Sequence, residues 1–110
     1  MNLTFESLAD EIHETAKSKG FWDSETDINF VLAKLCLVHS EVSETMEAVR
    51  KEQGDVKVVE EMSDVIIRLL DLYYGMKQRG WIAGDVYLDE VLGNKMEINS
   101  NRPHMHGVLA

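Results

Sequence analysis

Two stretches of the chain constrain its fold more than any others. Residues 28–49 and 56–76 each place apolar side chains on two sides of one helical wheel, with acids in a stripe between them. In the first, Ile28, Val31, Leu32, Leu35, Val38, Val42, Met46 and Val49 form a broad arc, and Leu37, Glu41, Glu44 and Ala48 a second stripe. In the second, Val58, Met62, Val65, Leu69, Leu72 and Met76 form the arc, with Ile67, Leu70 and Tyr74 beside it. Glu61, Asp64, Arg68 and Asp71 make the polar stripe between these two sets. A helix that is apolar on two sides needs two packing partners. A chain of 110 residues is one domain, 1–110, with one modest core. The second partner is therefore expected to be another copy, in a homodimer or a tetramer.

The remaining pattern is also helical. A first helix is expected from about Thr4 to Lys19, with Phe5, Leu8, Ile12 and Ala16 at helical spacing and Gly20 as its stop. A polar connector, 21–26, carries Phe21 and Trp22. Asp27 is a good N-cap for the second helix, which runs to about Lys51. Gln53-Gly54-Asp55 is a turn, the third helix spans about Val56 to Arg79, and Gly80 stops it. Asp85 is expected to cap a fourth helix ending near Asn99. No run alternates with period two, so the expected class is all-α, a four-helix bundle.

The acids carry the chemistry. Glu41 and Glu44, and Glu61 and Asp64, are i,i+3 pairs, each on one side of its helix. Packing the two helices together gathers four carboxylates away from bulk water, where they cannot all stay ionised without a cation. Oxygen-only ligands suit a hard cation, Mg²⁺ first, with Mn²⁺ as a substitute. Such a site points to chemistry on phosphates. The plainer alternative makes Glu41 and Glu61 rim residues paired with Lys34 and Arg68.

Other classes fit poorly. The net charge is −9 and there is no basic block, which argues against a nucleic-acid polymer as partner. Cys36 is the only cysteine, the apolar segments are broken by Lys34 and Arg68, and no secretory pattern opens the chain, so a cytoplasmic protein without a membrane span is expected. A ferritin-like di-iron bundle needs Glu-x-x-His motifs, and none is present. His13 reads as a surface residue, His39 as a core or interface residue, and His104-Met105-His106 as part of a tail. Cys36 has no evident base beside it, and there is no phosphate-binding glycine loop. Trp22 is a candidate platform for a nucleobase. Lys95, Asn99 and Arg102, where the fourth helix meets the tail, are candidates for a phosphate clamp.

His39-Ser40-Glu41-Val42-Ser43-Glu44, followed by Glu60-Glu61-Met62-Ser63-Asp64-Val65-Ile66-Ile67-Arg68, resembles the all-α nucleotide pyrophosphohydrolases of the MazG type. Asn94-Lys95 through Asn99, Arg102-Pro103 and His106-Gly107 resemble that family's ending. The resemblance covers about residues 28–107. It implies Mg²⁺-dependent hydrolysis of a (deoxy)nucleoside triphosphate to monophosphate and pyrophosphate, as in nucleotide-pool house-cleaning. Glu41, Glu44, Glu61 and Asp64 would be the metal ligands, with Glu44 or Glu61 as general base. Arg68, Lys95, Asn99 and Arg102 would contact the substrate, and the base would lie near the first helix and the Phe21-Trp22 connector. Two other readings stand beside it: a non-enzymatic helical dimerisation module, and an enzyme like phosphoribosyl-ATP pyrophosphohydrolase.

Overall fold

The computed structural model describes residues 3–103. Four helices follow in order: α1 (Phe5–Ser18), α2 (Ile28–Arg50), α3 (Asp55–Gln78) and α4 (Leu88–Ser100). None of the described residues lies in a strand. The all-α expectation therefore holds. No helix among the described residues is long and apolar enough to cross a membrane.

Local chemistry sets most of the boundaries. The Thr4 side chain accepts from the Ser7 amide while the Ser7 hydroxyl accepts from the Thr4 amide, a reciprocal cap on α1. Asp27 accepts from the Phe30 amide at 2.9 Å and starts α2. Gly54, at φ +98°, supplies the left-handed backbone from which α3 departs.

The start of α4 departs from expectation. Asp85 does not cap it; a turn closes from the Val86 amide to the Ala83 carbonyl, and the helix begins three residues later. Its first amide, on Leu88, donates to Glu6 of α1 at 2.8 Å. Asp89 returns the contact, its two oxygens accepting from the Phe5 and Glu6 amides at 2.9 and 3.0 Å. Each helix start is thus capped by a carboxylate of the other, which satisfies amides that neither helix can satisfy alone. Tyr73 of α3 joins this clasp through Glu6 and the Leu88 amide.

α2 and α3 form an antiparallel hairpin, α1 packs along α3, and α4 docks mainly on α1. The tightly packed part is therefore α1, α2 and α3, with no buried residue on α4. The core joins Trp22, Val31 and Leu72, flanked by Ala16, Phe30 and Met76. Gly75 makes room for it. A Cβ there would fall 2.2 Å from a ring carbon of Trp22, so the indole lies directly on the bare backbone of α3. On α1 the buried residues are Ala9 and His13, one turn apart. The surface placement expected for His13 is corrected: it is fully buried.

On the two long helices the acid-bearing stripes turn inward, as the expected gathering of acids requires. Most of the broad apolar arc of α2 faces outward, with Ile28, Leu32, Leu35, Val42, Met46 and Val49 exposed and only Val31 buried. What α2 buries is Val31, Glu41 and Ala48. On α3, Glu61 and Asp71 of the polar stripe are buried, along with Leu70, Leu72 and Gly75. The acid-bearing stripes thus face inward, and an apolar groove of about 810 Å³, lined by Val42, Met46, Val49, Met62, Val65 and Ile66, opens on the outside. His39, expected in a core or interface, is exposed in the single chain.

Candidate metal centre and the cleft beside it

The inward stripes bring three of the four predicted ligands together. One carboxylate oxygen from each of Glu41, Glu61 and Asp64 lies within 4.8 Å of the others. Glu41 and Glu61 are buried; Asp64 is exposed. Glu44, exposed and one turn along α2 from Glu41, completes the acidic rim. The charges of Glu41 first, and then Glu61, push its carboxyl above the usual carboxylate range.

Two cations partly neutralise the cluster. Arg68 donates through Nε to Oε1 of Glu41 at 2.8 Å. Lys57 lies 2.8 Å from Oε1 of Glu61 and holds that carboxyl below its ordinary value. Each of these buried acids then has one oxygen left over. Oε2 of Glu41 and Oε2 of Glu61 are buried and have no hydrogen-bond partner. A buried carboxylate oxygen without a donor is costly, and the cost is relieved by a proton or a cation placed between the acids. The donor set is all oxygen, which fits Mg²⁺ or Mn²⁺. The plainer alternative is half right: Arg68 does pair with Glu41, yet the pairing leaves the second oxygens unsatisfied.

A cleft of about 650 Å³ runs from this cluster between α1, α2 and α3 to the connector. Glu41, Asp64 and Arg68 line one part of it, Leu8, Ile12 and Ala16 of α1 a wall, and Lys34 and Phe21 another part. Phe21 is exposed, so its ring is open to a ligand.

No family model, no curated protein and no solved structure matches this chain.

The predicted substrate contacts divide. Arg68 is in the cleft beside the acids. Trp22 is not an open platform: it is buried, its ring lies on Gly75, and its Nε1 donates to Asp71 at 2.9 Å. The expectation that it stacks a base is corrected. Lys95, Asn99 and Arg102 are exposed and line neither the acidic cluster nor the cleft, because α4 is carried away on α1 by the Glu6 and Asp89 caps. In one chain they form no phosphate clamp with the acids. His106-Gly107 and the other histidine of the tail lie outside the described residues.

One contributor went unassigned in the sequence: Lys57 stands i,i+4 before Glu61, a spacing that was legible. Lys34, read there as a partner for the acids, bonds the Phe21 carbonyl instead.

Proposed function

We propose that this chain is a Mg²⁺-dependent nucleoside triphosphate pyrophosphohydrolase of the MazG-like kind, working in the cytoplasm as a homodimer or tetramer. The observation that carries the reading is the pair of buried, unpartnered oxygens on Glu41 and Glu61, grouped with Asp64 at the head of a cleft that leads to an exposed aromatic ring. Glu41, Glu44, Glu61 and Asp64 would hold the metal. When bound, it would neutralise phosphate oxygens and acidify a water.

The chain's own residues supply the rest. Glu44 is the better candidate for general base, because it is open to solvent at the rim of the cluster while Glu61 is buried and tied to Lys57. It would take a proton from the water that attacks the α phosphorus. The bond from that phosphorus to the bridging oxygen breaks, and pyrophosphate leaves. Lys57 and Arg68 orient the two buried acids, each by fixing one oxygen.

Self-association has separate support. The outward apolar arc of α2 and the groove between Met46 and Met62 are left uncovered by the single chain, and exposed surfaces of that kind mark interaction sites. The same groove supports the competing reading of a helical dimerisation module without activity. A panel of canonical and modified nucleotides, with phosphoribosyl-ATP included, separates the two. The proposal expects pyrophosphate and monophosphate with Mg²⁺ and neither with EDTA. Orthophosphate release would contradict the assigned bond. Metal binding without turnover of any nucleotide would favour the module.

A further inference from the structure

Lys34 lines the cleft beside Phe21, at the end away from the acids. Its ammonium donates to the Phe21 carbonyl at 3.1 Å and lies 5.2 to 5.5 Å from the centroids of Phe21, Trp22 and Phe30. Among the described residues it makes no ion pair. An ammonium has three donors, so it has hydrogen bonds to spare. Burial disfavours its charge and nearby Arg68 adds repulsion, with Asp71 opposing both. A half-buried cation with spare donors, facing a cleft, is suited to a ligand oxygen.

Which oxygen follows from distance. Lys34 precedes Glu41 by seven residues on α2, about 10 Å along the axis. Both side chains lean toward the helix N-terminus, so the offset persists at their tips. A triphosphate anchored at the acids therefore has its phosphates about 10 Å from Lys34, and its base beside it. The exposed Phe21 ring lies at the same place.

We propose that Lys34 reads the nucleobase, donating to a carbonyl oxygen on the rim of a base laid against Phe21, so that the site takes oxo bases in preference to adenine. This rests on the pyrophosphohydrolase reading above. The chemistry is one-sided: an ammonium offers donors only, so a ring carbonyl is accepted and an exocyclic amino group in its place is rejected. With an amino group there, donor faces donor and the charge-assisted hydrogen bond is lost.

The test compares ITP with ATP, which differ at position 6 by an oxo in place of an amino group. The wild-type protein is expected to favour ITP in kcat/KM by at least about tenfold, the scale of one charge-assisted hydrogen bond. Lys34→Met keeps the apolar stem and is expected to bring the ratio to within about threefold of unity, a difference of under 1 kcal/mol. Equal wild-type rates for the two nucleotides would overturn the assignment. So would a Lys34→Met variant that slows both equally, the result for an ammonium on a phosphate. Calorimetry with IMP and AMP gives a measurement that needs neither turnover nor the variant: tighter IMP binding supports the inference and equal binding refutes it. Absence of pyrophosphate release with preserved IMP preference would strike the proposed reaction and leave the base-reading intact.

Discussion

Two buried polar clusters lie ten residues apart along α3, and they are built on opposite principles. Around Asp71 every buried group is served. Its Oδ1 accepts from His13 Nδ1 at 2.8 Å and from Trp22 Nε1 at 2.9 Å. Arg79 can only donate, so its 3.2 Å contact makes His13 Nε2 an acceptor and fixes the Nδ1–H tautomer. Arg79 also bonds the Gly75 carbonyl and stacks over Trp22 at 4.3 Å. Around Glu61 the second oxygens of two buried acids, Glu61 of the same helix and Glu41 of α2, have no hydrogen-bond partner. A closed cluster holds a fold together. An open one, kept at a cost in stability, makes sense where a partner arrives to close it.

The sharpest way to break this contrast is to disturb the closed cluster. Asp71→Ala strands the donors of His13 and Trp22 and is expected to cost about 3–5 kcal/mol in chemical denaturation, with or without metal. Glu61→Gln should cost far less in the absence of metal, since it relieves repulsion. A larger loss from Glu61→Gln than from Asp71→Ala would reverse the assignment of the two clusters. Next in size, Glu44→Ala and Asp64→Ala are each expected to lower pyrophosphate release at least about a hundredfold, roughly 2.7 kcal/mol of transition-state stabilisation, at near wild-type melting temperature.

Smaller effects sharpen the edges of the comparison. Met46→Glu puts a charge into the outer groove and is expected to shift sedimentation from oligomer to monomer; an unchanged sedimentation coefficient would place the interface elsewhere. At the α1–α4 clasp, burial, with the Glu6 hydrogen bond next, pushes Tyr73 up to about 12 from 10.0. Between these values the folded chain keeps a proton that the unfolded chain has lost, so the stability contributed by Tyr73 is fully present below about pH 10 and is lost as pH rises toward about 12. Tyr73→Phe should remove that part of the decline, read as Tm against pH.

The legible parts of the molecule were those decided within a few residues. Thr4, Asp27, Gly20, Gly54 and Gly80 marked helix ends because capping and left-handed backbone are local. The i,i+3 acids were legible for the same reason. The start of α4 was not, because the groups that cap it belong to Glu6 and Tyr73, far off in sequence. Trp22 was misjudged because the notch that swallows it is a missing side chain at Gly75 on another helix. The wheels of α2 and α3 showed two apolar sides but not which one the chain would cover. That choice is settled by α1, whose Ala9 and His13 face packs onto α3. Lys95, Asn99 and Arg102 read as a phosphate clamp from their donors alone, and the clasp carries them away from the acids.

Thermal unfolding of the wild-type protein in EDTA and in Mg²⁺ tests the open cluster most directly. A cation that closes the unpartnered oxygens of Glu41 and Glu61 binds only the folded chain. At a hundred times its Kd it should add about 2.7 kcal/mol and raise Tm. Glu61→Gln should lose most of that rise, while retaining the far-ultraviolet helical signal. Superimposable curves for the wild-type protein in EDTA and saturating Mg²⁺ would contradict the account.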